Sequence, residues 1–281
     1  MPAYSVLKTR CGELSFDRTR IMGIINVTPD SFSDGGHFAG VDEAVEHAVA
    51  LVAAGADILD VGGESTRPGA EPLPMAEELA RVVPVIEALR TRVDVPISID
   101  TYKMAVARAA LLAGADIVND VTALRGDPEM VRFVGSEKVP VVLMHALWPP
   151  ATMQESPEYV DVVEDIASFL EDRARYAMAF GVPRESIIVD PGIGFGKATE
   201  HNLAILRDIP RFLAMGYPVL VGPSRKRFIG DLTGRPASDR LSGTIGAVAV
   251  CAAAGANIVR VHDVEAIRDA VRVVDAIVWQ V

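Results

Sequence analysis

The sequence predicts an α/β fold, a (β/α)8 TIM barrel with a short N-terminal β-hairpin. Short runs rich in valine and isoleucine alternate with longer amphipathic segments along the chain. The short runs lack polar alternation, which is typical of parallel strands covered on both faces. Eight such strand–helix units follow one another, and this serial pattern favours a closed parallel barrel. A doubly wound open sheet built from the same units is the structural alternative.

The predicted elements follow from these patterns, and the segment before Ile21 is expected to form a hairpin that plugs the barrel base. The predicted strands are Ile21–Asn26, Asp57–Val61, Ile97–Asp100, Asp116–Asn119, Val141–His145, Ile187–Asp190, Val219–Gly222 and Ile258–Val261. The predicted helices are Val41–Ala54, Met75–Val93, Lys103–Ala113, Asp127–Ser136, Tyr159–Phe180, Glu200–Ala214, Arg240–Ala253 and Val264–Trp279. Three of the helices are followed by near-identical joints, whose glycines Gly55, Gly114 and Gly255 suit helix C-caps.

Composition bounds the class of protein. The chain has 281 residues, half of them apolar, so it can bury one large core, and we expect a single domain spanning residues 1–281. A net charge of −11 disfavours a nucleic-acid binder. No apolar run reaches the length of about 18 residues that a membrane helix needs, and the N-terminus does not indicate a signal peptide. Cys11 and Cys251 match no metal spacing and indicate no disulfide framework, which fits the reducing cytoplasm.

Polar residues stand at or just after nearly every predicted strand end. In a parallel barrel these ends converge on one face, where active sites form. Capping of the next helix explains one such residue but not the whole set, so we interpret the set as functional. Its members are Asn26, Glu64, Asp100, Asn119, His145, Asp190, Ser224, Arg225, Lys226, Arg260 and His262.

Three of these residues suit recognition of a flat heterocycle. Asp100, Asn119 and Asp190 follow three different strands and supply carboxylate and amide groups. They are expected to form a rim around a ring that carries amide and amino groups, because buried polar groups need hydrogen-bond partners. Local alternatives exist for each residue: Asp100 as a helix N-cap, and the other two as turn residues.

A second group suits an anion and a hard cation. Arg67, Arg260 and His262 bring positive charge to the same face, and arginine forks match phosphate oxygens. Arg225 and Lys226 are expected to add to this positive charge. The side chains of Asn26, Asp30 and Asp34 offer oxygen ligands of the kind that Mg²⁺ prefers. Two long Gly/Pro-rich loops, Val27–Gly40 and Gly62–Pro74, are expected to close over the site. The glycine-rich stretch Gly192–Lys197 lacks the spacing of a nucleotide-binding loop.

Extended motifs resemble the dihydropteroate synthase family. Met22–Gly36 is similar to the first signature of that family, and Asp60–Gly69 is similar to the second. Further motifs follow in the family's order and extend the resemblance over almost the whole chain. These are Ser98–Thr101, Val118–Asp120, Leu143–His145, Asp190–Lys197, Ser224–Lys226 and Arg260–Asp263.

The resemblance implies a pterin-binding barrel that uses Mg²⁺, forms a homodimer, acts in folate biosynthesis and is the target of sulfonamides. It implies that Asn26 helps to hold Mg²⁺ and diphosphate. The implied diphosphate ligands are Thr66, Arg67, Arg260 and His262. The implied pterin ligands are Asp100, Asn119, Asp190 and Lys226, with Met144 and Phe195 packing on the ring. Phe32, Pro68, Gly222 and Ser224 are expected around the aminobenzoate pocket.

The implied reaction is a dissociative substitution at the pterin C9–O bond. Mg²⁺, arginine and a protonated histidine are expected to stabilise the departing diphosphate, and rim carboxylates are expected to stabilise the cation. The expected catalytic residues are Asp34, Asp100, Lys226, Arg260 and His262. Two alternatives remain, a pterin-dependent methyltransferase and a catalytically silent pterin-binding paralogue. The chain departs from the family pattern at Ala146–Pro150 and at Pro223, where the family commonly has other residues.

Overall fold

Eight parallel strands form a barrel in the computed structural model, which describes residues 6–27, 36–65, 72–147 and 157–278. The strands are β3 (Arg20–Asn26), β4 (Ile58–Gly62), β5 (Ile97–Asp100), β6 (Ile117–Asp120), β7 (Val141–Met144), β8 (Ile187–Asp190), β9 (Leu220–Val221) and β10 (Ile258–Val261). Their order in the sheet is β8-β7-β6-β5-β4-β3-β10-β9. A parallel bridge between Val189 and Val219 links the two outer strands. The predicted barrel is therefore confirmed, and the open-sheet alternative is wrong.

The N-terminal hairpin consists of β1 (Val6–Thr9) and β2 (Gly12–Ser15), which pair antiparallel. Leu7, Leu14 and Phe16 are buried in one apolar cluster with residues from seven barrel strands, including Met22 and Ile258. These barrel residues lie toward the amino ends of their strands. The hairpin thus closes the base of the barrel, as the sequence predicts, and leaves the carboxyl ends of the strands for a site.

An outer ring of helices surrounds the barrel. The helices are α1 (Gly36–Ala54), α2 (Met75–Arg90), α3 (Met104–Ala113), α4 (Met130–Glu137), α5 (Val162–Ala179), α6 (Thr199–Arg207), α7 (Ile209–Leu213), α8 (Arg227–Thr233), α9 (Leu241–Ala253) and α10 (Val264–Val278). Their inner faces and the outward-facing strand residues form the main core. Gly114 caps α3 with φ of +117°, which confirms the expected glycine C-cap.

Two helices differ from the prediction. The segment predicted as one helix over Glu200–Ala214 is divided at Asp208, because Pro210 lacks the N–H that a continuous helix would need there. The short helix α8 was not among the predicted helices. Elsewhere, the ends of the predicted elements shift by a few residues; α5, for example, begins at Val162, where Asp161 accepts hydrogen bonds from the backbone of Val163 and Glu164.

Within the described ranges, none of the helices is both long and apolar enough to cross a membrane.

Candidate active site

The carboxyl end of the barrel brings the predicted strand-end residues to one face. Strand register places Asn26 beside Gly62, Gly62 beside Asp100, and Asp100 beside Asn119. On the other side of the barrel, Met144 lies beside Asp190. The polar residues predicted from separate strands therefore form one continuous rim. The predicted site residues Asp34, Phe32, Thr66, Arg67 and Pro68, together with Asp30, lie outside the described residues.

Arg260 is the centre of this rim. Its Nε donates to Asp60 Oδ2 at 2.6 Å, and its Nη2 donates to Asp100 Oδ2 at 2.8 Å. Asn119 Nδ2 donates to the same oxygen of Asp60 at 3.1 Å. Burial disfavours the guanidinium charge, but the carboxylates of Asp60 and Asp100 outweigh it and raise the pKa of Arg260. The sequence interpretation missed Asp60, because it lies two residues before the strand ends and inside an otherwise apolar run.

Two carboxylates of this cluster keep an acceptor without a partner. Asp60 Oδ1 and Asp100 Oδ1 are buried and make no hydrogen bond. Leaving a buried acceptor unsatisfied costs about 1–3 kcal/mol, so such atoms mark places where a ligand donor fits. Burial raises the pKa of Asp100 to about 7, with Arg260 opposing the rise and Asp60 adding to it. The alternative of Asp100 as a helix N-cap is wrong, since Lys103 occupies the N-cap position of α3.

Asp190 completes the rim on the opposite strand. Its Oδ1 accepts from Gly192 N at 2.7 Å, so the turn interpretation of this residue is correct for one oxygen. Burial raises the pKa of Asp190 to about 6, against the hydrogen bond from Gly192 and the positive charge of Lys226. Carboxyl groups whose pKa is shifted toward neutral pH are common in ligand sites.

An apolar wall stands beside the rim. Val121, Met144 and Ala146 form a small buried cluster, against which Phe195 packs. Lys226 Nζ lies 4.0 Å from the centre of the Phe195 ring. A flat aromatic ligand that packs on this wall would be within reach of the polar rim and of the lysine.

Ser224 and His262 face each other across β9 and β10. Ser224 Oγ lies 2.9 Å from His262 Nδ1 and accepts from the backbone N–H of His262 at 3.3 Å. Burial and the positive charges of Arg260 and Arg225 lower the pKa of His262 to about 3. The imidazole is therefore neutral in the ligand-free protein, and its expected protonation beside a bound diphosphate stays a prediction. A neutral imidazole still offers one N–H donor.

Arg225 does not supply free positive charge to the site. Its guanidinium forms a two-point ion pair with Asp263, at 3.0 and 2.5 Å. Its backbone has φ of +56°, and the helix α8 begins only at Arg227. The sequence interpretation of Arg225 as part of a positive cluster is thus corrected.

Gly222 lies next to Arg260, where an added Cβ would meet the Cβ of Arg260 at an ordinary 3.8 Å.

Glu64, another strand-end residue, belongs to an ionic cluster that the sequence interpretation did not foresee. Lys103 Nζ donates to Glu64 Oε2, to Glu78 Oε2 and to the backbone oxygen of Leu73, each at 2.6 Å. Glu78 is fully buried, and burial raises the pKa of its carboxyl group against the pull of Lys103. The cluster joins the residues that precede and follow the undescribed segment 66–71.

Metal ligands are few among the described residues of the rim. Within the described ranges, no group of three or more His, Cys, Asp or Glu side chains is arranged to hold a metal ion. Asn26, the last residue of β3, contributes one amide oxygen at the mouth. A single neutral oxygen fits Mg²⁺, which usually keeps several waters and takes further oxygens from substrate phosphates.

Comparisons with known proteins agree with this geometry. The family model described as pterin binding enzyme matches residues 22–262. The dihydropteroate synthase of Synechocystis sp. is 47% identical over 273 residues, which cover 96% of this chain and 94% of that protein.

The chain belongs to the dihydropteroate synthase family.

Solved structures of the family have the same fold. A Xanthomonas albilineans dihydropteroate synthase with 4-aminobenzoic acid has a TM-score of 0.92 and 47% identity, covering 98% of each chain. A Yersinia pestis dihydropteroate synthase in a sulfonamide drug complex has a TM-score of 0.92 and 42% identity, covering 97% of this chain and 98% of that one. The resemblance stated from the sequence motifs, and the enzyme class that it implies, are confirmed.

Proposed function

We propose that the chain condenses 6-hydroxymethyl-7,8-dihydropterin diphosphate with p-aminobenzoate, giving 7,8-dihydropteroate and diphosphate in folate biosynthesis. The observation that carries this proposal is the buried, unpartnered carboxylate oxygen of Asp100, at the mouth of a family barrel. A pterin presents ring and amino N–H groups that can donate to such an oxygen.

The pterin is held by the rim and the apolar wall. Asp100 and Asp190 accept from its N–H groups, and Asn119 adds an amide beside them. Met144 and Phe195 pack on its ring, and Lys226 binds it from above the Phe195 ring. This assignment is supported by the shared cluster of Met144 and Phe195 and by the 4.0 Å approach of Lys226 to that ring.

The diphosphate lies toward β10 and the first two loops. Arg260 and His262 donate to its oxygens, with Thr66 and Arg67 from the second loop. Asn26 would hold Mg²⁺ beside it. When bound, Mg²⁺ would neutralise negative charge on the departing diphosphate. His262 acts as a neutral donor, consistent with the lowered pKa of its imidazole.

The aminobenzoate lies over Ser224. Phe32 and Pro68 border its ring, and Gly222 leaves room beside Arg260. The amine of aminobenzoate is neutral at pH 7, so its lone pair attacks without a strong general base.

The reaction breaks the bond between the pterin C9 and oxygen, and the electron pair leaves with the diphosphate. Asp100 and Asp34 stabilise the positive charge that develops on the pterin. The amine nitrogen then bonds to C9 and releases one proton. Exclusion of water matters, because water competes with the amine for the cation.

The pterin rim provides the test of this proposal. Asp100→Ala and Asp190→Ala should each weaken pterin binding at least 30-fold, which corresponds to about 2 kcal/mol. Asp94→Ala, which removes an exposed carboxylate at the opposite end of β5, is the matched control and should bind as tightly as the unchanged protein. Calorimetric titration with a pterin measures all four proteins. Unchanged affinity in both rim variants would overturn the assignment.

We further propose that the protein is a homodimer and that residues 1–281 form one domain. We also propose that it acts in the cytoplasm. Sulfonamides inhibit it by occupying the aminobenzoate pocket. Support for the dimer comes from exposed apolar side chains on two neighbouring helices, Leu241 and Val250 on α9 and Val273 and Ile277 on α10. Support for a reducing compartment comes from Cys11 and Cys251, both of which are free. Light scattering tests the dimer.

A further inference from the structure

The turn between β8 and α6 contains a buried lysine that the proposed reaction does not use. Lys197 is only 3% exposed. Its Nζ donates to the backbone oxygen of Phe195 at 3.0 Å and to that of His145 at 3.2 Å, and it lies 3.0 Å from His145 Nδ1. These three contacts suit the donors of a lysine side chain. Burial lowers the pKa of Lys197 to about 7, with Asp190 opposing the shift, so the cost of burying this side chain calls for an explanation beyond packing.

The ring of His145 is suited to accept one of those donors. Burial, followed by the charges of Lys197 and Arg125, lowers the pKa of His145 to about 2, so the ring is neutral. A neutral imidazole with its proton on Nε2 offers the Nδ1 lone pair to the lysine. The same contact that satisfies Lys197 thereby fixes the orientation of His145.

The turn itself packs tightly against the end of β7. A Cβ added to Gly192 would lie 1.9 Å from the backbone oxygen of His145, and one added to Gly196 would lie 2.5 Å from Leu147. Both glycines have positive φ, of +71° and +68°. The backbone of this turn therefore has little steric freedom, and the hydrogen bonds of Lys197 link it to the neighbouring strand.

The turn also carries a wall of the proposed pterin site. Phe195 lies at its centre, and the ring of Phe195 supports Lys226 Nζ at 4.0 Å. A Cβ added to Gly194 would approach Lys226 Cδ at 3.0 Å, so the turn limits the path of that lysine as well. A shift of the turn would therefore move Phe195 and change its contact with Lys226.

We propose that Lys197 is a positioning residue, whose buried side-chain nitrogen ties the turn of residues 191–197 to His145 and so sets Phe195 and Lys226 for the pterin. The inference rests on the proposed function, because it assigns those two residues to pterin binding. Lys197 touches no substrate in this arrangement and acts only through Phe195 and Lys226. Its loss should therefore weaken first the binding of the pterin, the substrate to which both residues are assigned.

The test compares the effects of two variants on the binding of the pterin and on the KM of aminobenzoate. Lys197→Met keeps the length of the side chain and removes all three donors, and Lys8→Met removes the same charge from the exposed face of the N-terminal hairpin. In Lys197→Met, the dissociation constant of a pterin should rise at least ten-fold. The KM of aminobenzoate at saturating pterin diphosphate should stay within two-fold. Lys8→Met should match the unchanged protein in both measurements.

The outcomes separate this inference from the proposed function. Equal pterin affinity in Lys197→Met and the unchanged protein would overturn the role of Lys197, and so would equal losses for both substrates. Absence of pterin binding by the unchanged protein would instead overturn the proposed function. Nitrogen NMR of histidine in the unchanged protein gives a check that needs no variant: a proton on Nε2 and an accepting Nδ1 are expected for His145, and the opposite tautomer would contradict the proposal.

Discussion

Arg260 and Asp60 are joined by a hydrogen bond of 2.6 Å between Nε and Oδ2, although 200 residues separate them in the chain. The bond orients the guanidinium so that its Nη2 reaches Asp100. A single buried carboxylate therefore aligns the cation that we assign to the diphosphate with the carboxylate that we assign to the pterin.

Removing the charge of Asp60 should impair catalysis more than folding. We expect Asp60→Asn to lower kcat/KM about 100-fold, equivalent to about 2.7 kcal/mol, because Arg260 loses its alignment. Asp116→Asn is the matched control, since Asp116 is a buried aspartate paired with Arg90 at 3.0 Å at the other end of the barrel. Steady-state kinetics compares the two. Similar losses of kcat/KM in both variants would show that the effect is structural.

Pterin binding should depend on the ionisation of Asp100. The pKa of Asp100 is about 7 in the free protein, and a ligand N–H that donates to its carboxylate must lower that pKa. Binding thus releases a proton, and the affinity should fall roughly ten-fold per pH unit between about 7 and 6. Below about 6 it should fall more steeply, because Asp190, whose pKa is about 6, is protonated as well. Calorimetry between pH 5.5 and 8.5 measures it. A flat profile across this range would contradict the role of Asp100 as an acceptor.

Lys103 should contribute to stability through the two carboxylates that it pairs. Lys103→Met leaves the buried Glu78 without a cationic partner, which should cost about 2–4 kcal/mol in the free energy of unfolding. Adding Glu78→Gln to this variant should recover about half of the loss, because the stranded charge is removed. Urea unfolding of both single variants and the double variant completes the cycle. Strict additivity would show that the two side chains are not coupled.

Burial of Lys197 should give stability a distinct pH dependence. Burial lowers its pKa to about 7, with Asp190 opposing the shift and Lys226 adding to it, whereas an unfolded lysine titrates near 10.4. Between these two values the unfolded chain binds more protons, so the free energy of unfolding should rise with pH relative to Lys197→Met. The slope should approach about 1.4 kcal/mol per pH unit. A constant difference between pH 7 and pH 10 would refute the shift.

The sequence predicted the barrel because its apolar strand runs and amphipathic helical segments alternate clearly. It predicted Asp100, Asn119, Asp190 and Arg260 as site residues because the strand ends of a parallel barrel converge. It did not predict the role of Asp60, since a carboxylate inside a strand gives no local sign of its partner across the barrel. Partners distant in sequence decide such roles.

The buried setting of His262 and the pairing of Arg225 were not foreseen for the same reason. A histidine assigned to a diphosphate suggests a cation, but in the ligand-free protein burial and the charge of Arg260 lower its pKa to about 3. Asp263 pairs with the guanidinium of Arg225, whose backbone has a left-handed conformation. The break between α6 and α7 was readable from Pro210, whereas the short helix α8 has too few residues to show a clear period.

Product formation decides whether the protein is a synthase. Purified protein is incubated with 6-hydroxymethyl-7,8-dihydropterin diphosphate, p-aminobenzoate and Mg²⁺, and dihydropteroate and diphosphate are both quantified. We expect equal amounts of the two products, loss of both on chelation of the metal and recovery when Mg²⁺ is restored. Pterin binding without any dihydropteroate would contradict this expectation, and would identify the chain as a silent pterin-binding member of the family.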